Sequence, residues 1–206
     1  MDQPPISRGF RARRPVDDRS GRIPPGQHLV TDFPVLSAGP TPHTDLAAWT
    51  FTLSYAGTPL AAWRWPEFEA LTQTELTCHI HCVTTWSKLD TRWRGVTFDT
   101  LFEAAGLREP PGPFAMFHCD GGYTTNVPVT DLVGGKAMIA TRYDGAPLPA
   151  PHGGPARGLV PHLYFWKSAK WVRGVTFMDR DQPGFWEQLG YNMYGDPWRE
   201  QRYTGD

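Results

Sequence analysis

The density of glycine and proline is the feature of this sequence that most restricts its fold. The 206 residues include 21 glycines and 21 prolines. Both residues disrupt the interior of helices, and both favour turns. We therefore exclude a helical bundle and expect short elements joined by many turns. Because 40% of the residues are hydrophobic, the chain can still bury a substantial core within one domain.

Hydrophobic periodicity predicts a mixture of strands and short helices. The clearest helix is Phe98–Ala105, whose apolar side chains recur at i, i+3, i+4 and i+7, with Thr97 as N-cap and Gly106 at its end. A second short helix is predicted at 66–71, where a proline occupies the first turn. The predicted strands are Trp49–Tyr55, Glu75–Cys82, Phe114–His118, Ala137–Arg142 and Trp171–Met178. This pattern indicates an α+β fold with mixed sheets, short helices and long irregular loops.

The first 30 residues differ in composition from the rest of the chain. They contain six arginines and three aspartates and are rich in proline. We interpret residues 1–30 as a flexible Arg/Pro-rich arm, followed by one domain at residues 31–206. Aromatic side chains are not interleaved usefully with the arginines, so a solvated terminus is favoured over a nucleic-acid-binding arm. We expect no nucleic-acid partner.

No segment of the sequence is apolar enough to form a membrane helix or the core of an export signal. Arg13-Arg14 is similar to the start of a twin-arginine signal, but the next residues are proline and aspartate rather than an apolar run. The three cysteines, an odd number, fit a reducing compartment better than a disulfide framework. The sequence therefore predicts a cytoplasmic protein without membrane insertion.

The densest concentration of reactive side chains is the segment Cys78-His79-Ile80-His81-Cys82. In a strand its cysteines and histidines would point to opposite faces, so the four could not converge on one zinc ion. The spacing also differs from common zinc patterns, and a zinc site stays open as the less favoured alternative. Cys78 is interpreted as a core residue. Cys82 ends the strand and can offer one soft sulfur donor to a metal held mainly by another group.

A second cluster, at residues 147–171, surrounds basic side chains with glycine, proline and aromatic residues. The basic residues are His152, Arg157, Lys167 and Lys170. No acidic residue occurs between Asp144 and Asp179, and buried cations without carboxylates normally need another anionic partner. Gly153-Gly154 allows the backbone to approach a ligand closely. The cluster therefore predicts a site for an anionic, phosphate-bearing ligand.

Together these two clusters resemble the molybdenum-cofactor domain of the sulfite oxidase family. The resemblance spans about residues 33–198 and is most specific in the motif HCVTTWS, at 81–87, and in HGGPARGLVP followed by WKSAKW, at 152–171. The sequence is most similar to single-domain bacterial sulfite oxidase-like proteins and is related to methionine-sulfoxide reductase catalytic subunits. The resemblance implies a sulfite oxidase-type molybdopterin-binding fold, a molybdenum–molybdopterin cofactor and two-electron oxygen-atom transfer on a small substrate.

The resemblance also implies roles for individual residues. Cys82 matches the catalytic cysteine that ligates molybdenum in the family. The other matches are to residues that bind the cofactor: Leu36, Ser37, Cys119, His152, Arg157, Ser168, Ala169 and Lys170. A separate electron-transfer protein is implied as partner, because molybdenum would be the only redox centre of the chain.

Two departures from sulfite oxidases favour a different reaction. Those enzymes place a basic residue after the cysteine, whereas Val83 follows Cys82 here, closer to the sulfoxide reductase pattern. The position of their catalytic tyrosine falls at Thr141, two residues before Tyr143. We therefore expect sulfoxide reduction rather than sulfite oxidation. The alternative is a non-catalytic domain that binds a phosphorylated ligand or molybdopterin, in which Cys82 would be dispensable.

Overall fold

The computed structural model describes residues 21–206, so the first 20 residues of the predicted N-terminal arm lie outside the described residues. Within this range the chain forms eleven strands and three α-helices, joined by turns and short 3-10 helices. The helices are α1 (Trp65–Ala70), α2 (Phe98–Ala104) and α3 (Phe185–Gln188). The strands are β1 (His28–Leu29), β2 (Thr50–Tyr55), β3 (Thr58–Arg64), β4 (Thr74–His81), β5 (Trp86–Thr97), β6 (Phe114–Cys119), β7 (Thr124–Pro128), β8 (Met138–Tyr143), β9 (Ala146–Pro147), β10 (Arg157–Leu159) and β11 (Val172–Met178).

The strands form two mixed sheets. The first is built around the long strand β5, which pairs antiparallel with β4 and β8 and parallel with the short β1. Strand β8 continues this sheet to β10 and β9. The second sheet has the order β3-β2-β11-β6-β7, with a parallel pair between β11 and β2. The predicted α+β class with mixed sheets is confirmed.

The main core lies between the two sheets. Fully buried side chains from both sheets meet there, among them Phe51, Leu53, Val96, Phe117, Ile139 and Phe177. Each side chain of this size stabilises the fold by about 1.5–3 kcal/mol when it leaves water. A smaller cluster packs on the other side of the first sheet and includes Ile80, Cys82 and Trp93. This second cluster places Cys82 beside an apolar wall.

The elements predicted from periodicity are present, with bounds within one residue. In α2 the hydroxyl of Thr97 accepts a hydrogen bond from the amide of Thr100 at 3.2 Å, which is the predicted N-cap. Gly106 follows the helix with φ at +69°, the left-handed conformation that glycine adopts without strain. All five predicted strands are observed as β2, β4, β6, β8 and β11.

The last residues of the predicted N-terminal arm take part in the first sheet. Strand β1 pairs with β5 through His28 opposite Trp86 and Leu29 opposite Ser87. Gln27 is buried as well. The folded part of the chain therefore includes residues that the arginine-rich composition assigned to the arm. No helix in residues 21–206 has the length and hydrophobicity that a bilayer crossing requires.

Candidate active site

A cavity of about 450 Å³ opens where loops from the ends of both sheets meet. Residues of five chain segments line it, within 33–42, 82–86, 120–123, 152–171 and 185–191. Eight of the nine site residues expected from the sequence are on its walls: Leu36, Ser37, Cys82, His152, Arg157, Ser168, Ala169 and Lys170. The fold thus brings both predicted clusters to one cavity, although they are separated by about 70 residues of sequence.

Cys82 occupies the first position of the tight turn between β4 and β5. Its amide donates to the carbonyl of Trp86 at 2.8 Å, and the amide of Thr85 donates to the Cys82 carbonyl at 3.0 Å. The Cys82 sulfur lies 3.2 Å from the hydroxyl of Thr84. Burial raises the pKa of the Cys82 thiol, and the hydrogen bond with Thr84 opposes this shift. A thiol in this setting is inert until a cation, such as a bound metal, favours the thiolate.

The other members of the cysteine–histidine segment have separate partners. The Cys78 sulfur lies 3.7 Å from the hydroxyl of Thr91, and burial raises its pKa to about 11. His81 Nδ1 lies 2.8 Å from the hydroxyl of Ser87, and burial, followed by the charge of His79, lowers the pKa of His81 to about 4. Among residues 21–206, no three His, Cys, Asp or Glu side chains come close enough to hold a metal ion. The side chains of the zinc alternative are therefore not brought together.

Arg157 is buried in the cavity wall without an acidic partner among its contacts. Its guanidinium donates to the carbonyls of His152 at 2.7 Å, Ser168 at 2.5 Å and Gly158 at 3.3 Å. It also stacks 4.1 Å from the ring of Phe165. Burial lowers the pKa of Arg157 to about 9. Carbonyl oxygens orient the guanidinium but do not neutralise it, so the site retains a buried positive charge.

Lys170 and His152 extend this positive region. Lys170 Nζ donates to the carbonyls of Leu36 at 2.6 Å and Pro151 at 2.7 Å. Burial, followed by the charge of Arg157, lowers the pKa of Lys170 to about 8. The His152 ring stacks on Phe33 at 3.9 Å, and its buried Nδ1 has no hydrogen-bond partner among the described residues.

These three basic groups fit an anionic, phosphate-bearing cofactor. The pKa of His152 is lowered by burial and then by the charges of Arg157 and Lys170, and the charge of Arg157 also lowers the pKa of Lys170. A phosphate between them would relieve this repulsion and supply the missing acceptors. The unpartnered His152 Nδ1 points to a polar contact of the same ligand. The sulfur of Cys82 on the same cavity is the donor type that a soft transition metal prefers.

Lys167 does not belong to this site, and the expectation that it lacks an acidic partner is wrong. Its side chain is fully buried and lies 2.7 Å from a carboxylate oxygen of Glu187. The same oxygen accepts hydrogen bonds from Thr125 at 2.9 Å and from the Trp166 indole at 2.8 Å. Glu187 lies twenty residues downstream, in helix α3, and so outside the acid-free stretch between Asp144 and Asp179.

Cys119 lies beside the cavity rather than on its wall. The neighbouring residues Asp120, Gly121 and Tyr123 line the cavity instead. Burial raises the pKa of the Cys119 thiol, whereas the nearby charge of Arg157 lowers it. The role of Cys119 as a cofactor contact therefore stays a prediction that rests on the family resemblance alone.

The aromatic wall of the cavity was not predicted. Three aromatic residues of the C-terminal segment form it: Phe185, Trp186 and Tyr191. Trp186 and Tyr191 stack with ring centroids 5.0 Å apart. The adjacent aromatic pair Phe185-Trp186 is visible in the sequence, but no sequence pattern places it at the cavity. Thr141 and Tyr143, the positions compared with the sulfite oxidase tyrosine, are absent from the cavity lining in the described structure.

Comparisons with known proteins agree with this geometry. Residues 38–186 match the family model described as the oxidoreductase molybdopterin-binding domain. The chain is 43% identical to the uncharacterized oxidoreductase YuiH of Bacillus subtilis, over 92% of this chain and 96% of that protein. It is 24% identical to the protein-methionine-sulfoxide reductase catalytic subunit MsrP of Pseudomonas syringae pv. tomato, over 72% of this chain and 37% of the relative.

A solved structure shares the fold. The sulfane dehydrogenase SoxCD from Paracoccus pantotrophus superimposes with a TM-score of 0.59 at 18% identity, over 68% of this chain and 40% of that chain. At this identity the likeness concerns the fold alone.

Proposed function

Because this chain belongs to the family of oxidoreductases with a molybdopterin-binding domain, we propose that it transfers an oxygen atom to or from a small substrate at a molybdenum centre ligated by Cys82. As a sulfite oxidase-like protein it is a molybdopterin-dependent oxidoreductase. The observation that carries the proposal is one cavity that presents a single buried sulfur and a cationic wall. That combination suits a metal whose organic carrier has a phosphate.

The cationic wall is proposed to bind the carrier. Arg157 and Lys170 would contact its phosphate, and His152 would add a polar contact through Nδ1. Leu36 and Ser37 lie in a loop that lines the cavity, and Lys170 contacts this loop through the Leu36 carbonyl. The molybdenum–molybdopterin cofactor supplies two-electron oxygen-atom chemistry when bound. The protein residues bind it, orient it and set the charge around it.

Cys82 is proposed to be the protein ligand of the metal and the catalytic residue. Its position at the start of a hydrogen-bonded turn fixes the direction of the sulfur, and its burial keeps water from the thiolate. The hydroxyl of Thr84 contacts the sulfur at 3.2 Å and limits its rotation. A fixed, desolvated ligand requires little reorganisation when the metal changes oxidation state.

The wall near Cys82 favours an uncharged substrate and hence sulfoxide reduction. Val83 and Thr84 line the cavity beside the cysteine, and the aromatic wall of Phe185, Trp186 and Tyr191 faces the same space. Sulfite is a dianion and needs positive groups at the substrate position, whereas a sulfoxide offers a neutral oxygen and apolar substituents. In the proposed direction, two electrons and two protons convert the sulfoxide to a thioether and water.

An electron-transfer protein is proposed as the partner in this reaction. The proposed reaction needs two electrons for each sulfoxide, and molybdenum is the one redox centre that the resemblance to the family implies. The relative from Pseudomonas syringae carries the description of a catalytic subunit, which supports a separate electron source here as well.

The test compares two cysteine variants of protein made in a host that synthesises molybdopterin. We expect Cys82→Ser to lose at least 100-fold in turnover and most of its molybdenum, while molybdopterin stays bound to the cationic wall. Cys78→Ser is the matched control, because Cys78 is partly buried four residues away and does not line the cavity. Metal analysis, pterin fluorescence and dye-coupled turnover measure these outcomes. Wild-type turnover in Cys82→Ser, or wild-type protein without molybdopterin, would refute the proposal.

The direction of the reaction needs its own measurement. We expect reduced viologen dye to drive reduction of a dialkyl sulfoxide by the loaded protein, with little dye reduction when sulfite is the electron donor. The Cys82→Ser variant gives the background for both assays. Faster turnover of sulfite than of any sulfoxide would contradict the assignment of direction and leave the cofactor assignment intact.

A further inference from the structure

The turn that carries Cys82 is held by the two ends of the described chain. The amide nitrogen of the Gln27 side chain donates to the Cys82 carbonyl at 3.0 Å. The backbone amide of His28 donates to the Thr85 carbonyl at 2.8 Å. The guanidinium of Arg202 donates to the Val83 carbonyl at 2.7 Å. We refer to Gln27, His28 and Arg202 as the terminal brace.

Arg202 is packed tightly in this position. Its side chain is 14% exposed and lies 5.0 Å from the ring of the buried residue Tyr164. The carboxylate of Glu200 is 3.9 Å from the other end of the guanidinium. At Gly26, where φ is +70°, an added Cβ would come within 3.2 Å of Arg202 and 2.8 Å of Glu200. The N-terminal and C-terminal segments therefore meet closely behind the turn.

The terminal brace lies outside the part of the chain that the family model matches. That match covers residues 38–186, whereas the three brace residues precede or follow it. The hydrogen bonds of the terminal brace are therefore additional to the contacts that form the cavity wall. Since hydrogen bonds behind a metal ligand fix its orientation and tune the metal, the brace is placed to influence a metal at Cys82.

We propose that Arg202, supported by Gln27, is a positioning residue that fixes the turn of the Cys82 ligand and raises the reduction potential of the bound metal. This inference rests on the proposed role of Cys82. The hydrogen bond to Val83 restrains the backbone next to the sulfur. The positive charge stabilises the more electron-rich, reduced state of the thiolate–metal unit by Coulomb attraction.

The charge of Arg202 is held close to the ligand, because its guanidinium donates to the carbonyl of Val83, the residue that follows Cys82. Glu200 neutralises Arg202 only in part, because its carboxylate is half exposed and 3.9 Å away. Gln27 contributes no charge, and the carbonyl that it contacts also accepts the Thr85 amide. Removing Gln27 should therefore loosen the turn less than removing Arg202.

Two variants of Arg202 separate its charge from its hydrogen-bond geometry. Arg202→Met removes both, whereas Arg202→Lys keeps the charge and loses the planar guanidinium with its several N–H donors. Arg199→Met is the matched control, because Arg199 is exposed and three residues away in the same segment. Each variant is purified as the loaded holoenzyme. The readouts are hydrogen exchange of the 82–86 amides and the reduction potential from a titration followed by electron paramagnetic resonance.

In Arg202→Met we expect hydrogen exchange of the 82–86 amides to be at least 10-fold faster and the reduction potential of the metal to be more negative. In Arg202→Lys the reduction potential should stay close to the wild-type value, whereas the 82–86 amides should keep only part of their protection against hydrogen exchange. Gln27→Leu should give a smaller increase in exchange with an unchanged potential. If Arg202→Met matches Arg199→Met in both readouts, the inference is overturned. Failure of Arg202→Met to fold leaves the Arg202→Lys comparison decisive, and absence of molybdenum in wild type would refute the proposed function instead.

Discussion

At the scale of single residues, the basic groups of the cavity differ from basic groups that stabilise the fold. Arg157 and Lys170 donate to carbonyl oxygens, and burial lowers the pKa of both. Lys167 is fully buried, like Arg157, but it has the Glu187 carboxylate at 2.7 Å. Because a desolvated cation is expensive without an anion, the first two positions favour ligand binding over stability.

The pKa of Lys170 predicts how anion binding depends on pH. In the free protein this pKa is lowered to about 8, and a bound anion stabilises the protonated amine and raises the pKa again. Binding therefore takes up a proton above pH 8, and affinity falls as the pH rises, by up to about tenfold per unit for one linked proton. Inorganic sulfate is a suitable probe, because its charge does not change over this range. Calorimetric titrations from pH 7 to 10 measure the effect.

Lys170→Met is the control for this titration. The other charged or titratable groups near Lys170 are Arg157, His152 and Cys82. These groups remain in the variant. The fall in sulfate affinity that begins near pH 8 should therefore disappear, whereas a fall at higher pH, due to Arg157, should persist. An unchanged profile in Lys170→Met would show that another group is responsible.

Individual site residues were predictable where chemistry and neighbours in sequence coincided. Cys82 was predicted as a site residue because it ends a strand, where its sulfur can be offered to a metal, and Arg157 because its surroundings contain no local acid. Both are in the cavity. The error at Lys167 and the missed brace residue Arg202 have one cause. Their partners, Glu187 and Val83, are distant in sequence, and only tertiary structure brings them together.

At the scale of elements, strands that bury one apolar face were predictable. Strand β2 alternates buried Phe51 and Leu53 with threonine and serine, and its bounds were predicted within one residue. Strand β5 alternates as well, but its inward positions near the centre include Thr91 and Gly95, which carry no apolar signal. Strand β3 has no buried residue because it lies at a sheet edge. Period-2 patterns reveal a strand only when its inner face is hydrophobic.

Helix α3 illustrates how one buried ion pair positions an element. The helix has four residues, too few to be stable alone, and it carries Phe185 and Trp186 of the aromatic wall. Glu187 ties it to Lys167, to Thr125 of β7 and to the Trp166 indole. We infer that the aromatic wall depends on this pair.

Removal of the Glu187 carboxylate should therefore strongly destabilise the folded protein. Glu187→Ala leaves Lys167 buried without its counter-charge, and the free energy of unfolding should fall by about 3–5 kcal/mol. Urea denaturation followed by tryptophan fluorescence measures the change. The double variant Lys167→Met with Glu187→Leu should recover most of the loss, since no buried charge remains. If the single and double variants are equally unstable, the loss arises from packing and the electrostatic explanation fails.

At the scale of the whole molecule, the candidate site is assembled from nearly the full length of the described chain. Its contacts run from Gln27 behind the turn to Arg202, and the cavity walls come from five segments between them. Both sheets contribute, through the turn after β4 and the loop after β6. A ligand in this cavity therefore contacts parts of the molecule that separate when it unfolds.

This architecture predicts that the cofactor stabilises the entire domain rather than one loop. A ligand that binds only the folded state adds about 2.7 kcal/mol at a concentration of 100 Kd. Protein from a host without molybdopterin synthesis should therefore unfold several degrees lower than loaded protein, each in one calorimetric transition. Cys78→Ser should show the full difference, whereas Cys82→Ser, which keeps the cationic wall but lacks the metal ligand, should show only part of it. A ligand that bridges five segments must resist their separation when the protein unfolds. Equal unfolding midpoints for loaded and cofactor-free protein would therefore mean that the cavity walls do not act as one unit.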